Sequence, residues 1–146
     1  MTEFEREILQ RFLQGEDPIL DILRTQLFTA KVRQREVTET GFFTDLWIDD
    51  AAPVVERANR FALDDVFGEI EGVDESVCFL LHVHRGRLRT LEGFLLGAPW
   101  PSHPRLLRAW YVHPDPAQAG LLVECPTRNL DFALRGAASG PDGDTH

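Results

Sequence analysis

The chain has 146 residues, 24 of them acidic and 15 basic, for a net charge of −9, with 43% hydrophobic and 27% charged residues. Such a composition excludes collagen-like, low-complexity and wholly disordered chains, and the length fits one domain with a sizeable core. The acidic balance argues against binding to nucleic acid or to an anionic membrane, where Lys and Arg must meet phosphates.

The first residues carry Glu3, Glu5 and Glu7 where a secretory signal would carry positive charge. No apolar run approaches the ~20 residues needed to span a bilayer; the longest, Val77 to Val83, has the length of a strand. Two cysteines, Cys78 and Cys125, are too few for a disulfide framework and form no Cys-x-x-Cys pair. A cytoplasmic location with both thiols reduced is expected.

Thr2 followed by Glu5 is a capping-box signature, and Phe4, Ile8, Leu9, Phe12 and Leu13 recur at helical spacing. Gly15 ends that helix. Asp17 as N-cap with Pro18 at the first helical position opens a second. Its apolar face is Ile19, Leu20, Ile22, Leu23, Leu27 and Phe28. Beyond Lys31 the period changes. Val32 to Val37 is a polar edge strand and Thr40 to Ile48 an aromatic-rich one. Asp49 to Pro53 breaks it, and the stretch to Asp65 stays ambiguous, with a short strand or a helical turn around Val54 to Asn59. Val66 to Glu71 and Val77 to His84 alternate apolar and polar, and Arg85-Gly86 joins the latter to Arg87–Leu95 as a hairpin. Further strands are expected at Arg105–Val112, Gly120–Glu124 and Arg128–Leu134. From Gly136 on, apolar anchors disappear and a mobile tail is expected. Two helices followed by hairpin-spaced strands specify an α+β fold: two N-terminal helices packed on a mostly antiparallel sheet, a single domain over 1–135 with a disordered tail over 136–146.

Few residues suggest chemistry. His82 and His84, one residue apart on a strand, share a face and could reach one metal ion, with Glu92 on the paired strand and Cys78 of the same parity as further ligands. The same spacing suits a strand that simply runs out of the core. Glu69, Glu71 and Glu92 could pair as acid and base, or lie on a solvated sheet face. No Gly-x-Ser-x-Gly turn, P-loop or Gly-x-Gly-x-x-Gly is present. Nothing in the sequence gives positive evidence for an enzyme, and no cofactor is expected.

Charge is distributed unevenly. Residues 1–75 hold 18 acids and 8 bases, and residues 76–146 hold 6 acids and 7 bases. The acids crowd between Asp45 and Glu75, which makes Asp45, Asp49, Asp50, Asp64, Asp65, Glu69 and Glu71 candidates for a face that meets a basic protein partner. Trp100, in a loop between two prolines, is a candidate interface anchor, although a loop Trp can equally pack back over a sheet edge.

The phrases Gly41-Phe42-Phe43-Thr44, Val66 to Gly72, Phe79 to Val83 with Gly86-Arg87-Leu88, and Leu91-Glu92-Gly93-Phe94 before Trp100-Pro101 resemble a family of small, uncharacterised bacterial α+β proteins. The resemblance spans about Gly41 to Pro101 and implies a helical start followed by a β-rich body, with no catalytic residue to carry over. By size and charge, such proteins resemble the immunity proteins of bacterial toxin systems. The expectation is a non-enzymatic, immunity- or antitoxin-like domain that binds a basic protein through its acidic surface. The alternative is a small-molecule or metal-binding domain using His82, His84 and Glu92. Self-association through a strand edge or Trp100 is compatible with both.

Overall fold

A computed structural model describes residues 1–56 and 60–137. Its first element, α1 (Glu3–Phe12), starts where the capping box places it: Glu5 N donates to Thr2 Oγ1 at 3.1 Å and Thr2 N donates to Glu5 Oε1 at 2.8 Å. The helix buries Ile8, Leu9 and Phe12 completely. In α2 (Pro18–Thr29) Asp17 caps Ile19 N at 2.8 Å, and Leu20 and Leu23 are buried on its inner side. Phe28 departs from the expected apolar face. Eight residues beyond Leu20, it has turned about 80° away from that stripe and is 92% exposed.

The strands are β1 (Lys31–Val37), β2 (Gly41–Trp47), β3 (Arg60–Leu63), β4 (Val66–Ile70), β5 (Val77–His84), β6 (Arg87–Phe94), β7 (Leu106–Pro114) and β8 (Leu122–Cys125). They form one open, antiparallel sheet in the order β1-β2-β6-β5-β4-β7-β8. β3 also pairs with β5, through Phe61 opposite Val83 and Leu63 opposite Leu81, so β3 and β4 take successive stretches of β5. Asp64 and Asp65 fall at the break between them. The fold is thus a single α+β domain, with both N-terminal helices present.

Alternation is strict along β5. Val77, Phe79, Leu81 and Val83 are buried, while Cys78, Leu80, His82 and His84 are half-buried on the other face. The inner-face residues join Phe42, Leu46, Leu88 and Leu91 and the helix stripes in one core. The exposed edge strand β1 carries Lys31, Arg33, Arg35 and Glu36, a pattern that disfavours pairing with another chain.

Three expectations change. The segment Arg128–Leu134 is not a strand: Asn129 accepts a hydrogen bond from Phe132 N at 3.0 Å and caps a short α3 (Leu130–Ala133). In the ambiguous stretch the strand is β3, which begins after the expected Val54–Asn59 and whose Arg-Phe-Ala-Leu lacks β-branched residues; Val54 to Glu56 belong to no helix or strand, and positions 57–59 lie outside the described residues. Of the expected tail, Gly136 sits against Phe61 and Ala137 is buried in the core, whereas 138–146 lie outside the described residues. Among the described residues no helix is long and apolar enough to cross a membrane.

Candidate functional site

The acids between Asp45 and Glu75 mostly have partners. Because β4 runs antiparallel to β7, Glu69 stands opposite Arg108, and Arg108 pairs with both Glu69 (3.9 Å) and Glu124 (2.5 Å). Glu71 lies 3.6 Å from Arg105, and Asp64 lies 2.7 Å from Arg135. Asp45 accepts a hydrogen bond from Thr90 Oγ1 at 2.8 Å. Glu75 accepts three backbone N–H bonds, from Leu96, Gly97 and Ala98; led by the Leu96 bond, they hold its carboxyl below its ordinary pKa. Four arginines of the second half, Arg105, Arg108, Arg128 and Arg135, therefore meet acids of the first half.

Asp65 departs furthest from its expected role. It is 0% exposed, and Arg128, itself almost buried, grips both its oxygens at 2.9 Å. The other arm of that guanidinium donates to Phe12 O and Gln14 O at 2.7 Å, which satisfies carbonyls left open where α1 ends. Tyr111 lies under the same guanidinium at 4.7 Å and donates to Arg11 O. This buried pair ties α1 to the sheet and offers nothing to a partner.

The histidine set is also divided. His82 Nε2 lies 2.9 Å from Glu92 Oε1 on the outer face. The ladder shifts register between His82 and Val83, and His84 stands opposite Arg60. Cys78 stands between Phe94 and Phe67 in the paired strands. Burial, then the charge of Glu75, pushes its thiol pKa up. Among the described residues no three His, Cys, Asp or Glu side chains are grouped to hold a metal. Same-face parity holds, but the proposed His82, His84, Glu92 triad is not assembled.

Trp100 is half-buried. Its ring lies 5.1 Å from Phe42 and 6.2 Å from Phe4, and its backbone N–H donates to Glu39 O. It anchors the 97–101 loop to the core rather than standing free.

Two of the concave regions bear on the remaining acids. One, of about 680 Å³, lies between α2 and the 49–53 loop, with exposed Phe28, Asp21, Asp49 and Pro53 among its walls. Arg24 beside it is engaged with Leu13 O, Gly15 O and Asp21. Asp49 keeps its carboxylate exposed while accepting from Ala51 N at 3.0 Å. The other, of about 450 Å³, lies at the β5–β6 turn and is lined by Arg33, Trp47, His84, Arg85, Arg87 and Arg89, with Asp50 at its side. The sequence places Asp49 and Asp50 on one candidate acidic face; the two concavities separate them. Neither Phe28 nor Arg33 stood out in the sequence, because each belongs to an element whose periodicity accounts for it.

Searches for a matching protein family, a similar curated protein or a similar solved structure return no match for this chain.

Proposed function

We propose that this chain is a non-enzymatic protein-binding domain, and that its partner docks in the groove between α2 and the 49–53 loop. The observation that carries this reading is Phe28, 92% exposed in a concave, partly acidic setting. A fully covered Phe side chain gains about 1.5–3 kcal/mol relative to water, and exposed aromatics in concave settings are common centres of binding energy. Asp21 and Asp49 flank it on the groove side, where Arg24 is already engaged, while Arg6 lines a second concavity that Phe28 also borders. The partner that fits is basic and presents an apolar side chain, in keeping with the net charge of −9. Such an interface suits a role of immunity type, in which a small acidic domain covers a basic toxin.

The test places a photo-crosslinking amino acid at position 28, with position 107 as an exposed control, in cells that produce the protein. A basic protein captured from position 28 alone, whose purified complex weakens at least about ten-fold with Phe28→Ala and with Asp49→Lys, supports the reading. Equal capture at both positions, or affinity indifferent to Phe28→Ala, refutes it.

A further inference from the structure

The cleft at the β5–β6 turn reverses the sign of the rest of the molecule. Arg33 comes from the edge strand β1, His84 from the end of β5, and Arg85, Arg87 and Arg89 from the turn and β6. Among the described residues none of these four arginines is in an ion pair, although the chain has 24 acids against 15 bases and pairs other arginines repeatedly. One carboxylate, exposed Asp50, shares the cleft and leaves it positive. Arg60 of β3 stands opposite His84 and adds to the field. Like charges brought together without counter-charge oppose folding, so their convergence calls for a reason outside the fold.

A second observation concerns Arg87 itself. Arg87 Nε is buried, and no hydrogen-bond partner reaches it among the described residues. A desolvated guanidinium N–H without an acceptor is costly, and natural structures rarely leave one.

The turn that carries these groups is held rigidly. Gln26 of α2, wholly buried, donates to Gly86 O and Pro53 O at 2.8 Å and accepts from Leu88 N at 2.9 Å. Val55 N also donates to Gly86 O. A Cβ on Gly86, where φ is +76°, would come within 2.2 Å of Val55 O, so only glycine lets the 53–55 loop lie against the turn. Such support fixes donors before a ligand arrives.

We propose that this cleft binds the phosphate group of a small phosphate monoester, with the organic part of the ligand against Trp47. Guanidinium forks match the oxygens of a phosphate, and a dianion with three terminal oxygens engages more of these donors than a carboxylate can. Leu46, Trp47 and Ile48 supply an apolar side, and Lys31 over the Trp47 ring at 5.8 Å adds a further cation. The volume of about 450 Å³ falls among small-ligand sites. A nucleic-acid strand fits less well. It would extend past the cleft over a protein of net charge −9, whereas a small anion feels chiefly charges within a Debye length of about 8–10 Å. His84 agrees with the setting: partial burial, then Arg60, Arg85 and Arg89, hold its pKa below the ordinary histidine value, and an anion in the cleft would reverse that direction. The site is independent of the groove at Phe28.

The test titrates the full chain with inorganic phosphate and, separately, adenosine monophosphate at low salt, following the arginine Nε–H resonances by NMR. Saturable movement of the Arg87 signal is expected with both ligands, with adenosine monophosphate binding at least about three-fold tighter. Trp47→Ala should abolish that difference and leave phosphate binding intact. Arg89→Ser and Arg85→Ser, at exposed positions, should each weaken both ligands about ten-fold without changing the melting temperature. No saturable shift by about 20 mM phosphate, roughly two orders of magnitude weaker than a useful metabolite site, overturns the proposal. So do shifts that leave Arg87 unmoved, and so does a single-stranded oligonucleotide that binds through these arginines while adenosine monophosphate does not.

Discussion

Glu5 provides the sharpest test of how the helices are fastened to the sheet. Its carboxylate accepts four hydrogen bonds: from Thr2 N, from Arg35 Nε and Nη2 at 2.8 and 2.9 Å, and from Thr44 Oγ1 at 2.7 Å. Burial by itself raises the pKa. The bonds from Arg35, Thr44 and Thr2, with the charge of Arg35, outweigh it and bring the value from 4.5 to about 2. A carboxyl whose folded pKa is depressed contributes stability above its unfolded pKa and loses it as pH falls toward the folded one. The contribution is about 3 kcal/mol at pH 7 and about 1.5 kcal/mol at pH 3, at roughly 1.4 kcal/mol per pKa unit. Glu5→Gln keeps an acceptor for the cap but removes the charge, and Arg35 is exposed enough to regain water, so the loss at pH 7 should be about 2–3 kcal/mol. Urea denaturation of both proteins from pH 7 to pH 3 isolates this residue, since every other carboxyl is common to the pair. The stability gap should narrow by about 1.5–2 kcal/mol across that range. A gap that stays constant would show that Glu5 does not carry the ion-pair energy assigned to it.

Two further perturbations follow from burial. Arg128→Ala strands Asp65 without its counter-charge and uncovers Phe12 O and Gln14 O, so it should cost about 3–5 kcal/mol. Arg105→Ala, at a 3.6 Å pair open to solvent on both sides, should cost less than about 0.5 kcal/mol. Equal losses in equilibrium denaturation would contradict the ranking. Gln26→Ala leaves Leu88 N and Pro53 O unpaired and should cost roughly 2–4 kcal/mol; it should also weaken phosphate binding in the NMR titration, whereas a stable variant with unaltered binding would separate Gln26 from the cleft.

How far the sequence carries depends on whether an interaction is local. Thr2 with Glu5, and Asp17 with Pro18, announce their helices because a cap and its partner lie three residues or fewer apart. The alternation of Val77 to His84 fixes which side chains face the core. Arg128 to Leu134 misleads because its apolar residues suit a strand as well as a helical turn, and the deciding bond runs from Phe132 N to Asn129 Oδ1. Charge misleads for a topological reason. Acids on β4 and bases on β7 lie about forty residues apart in the chain, yet antiparallel pairing sets Glu69 against Arg108, so a lopsided sequence becomes a largely paired surface. The reverse holds at the β5–β6 turn. Arg85, Arg87 and Arg89 resemble ordinary hairpin charges until β1 brings Arg33 beside them and, among the described residues, no acid forms an ion pair with any of the four. What marks the cleft is therefore not the amount of charge in a segment but the charge left over after the strands have paired, and that residue of charge exists only once the register is known.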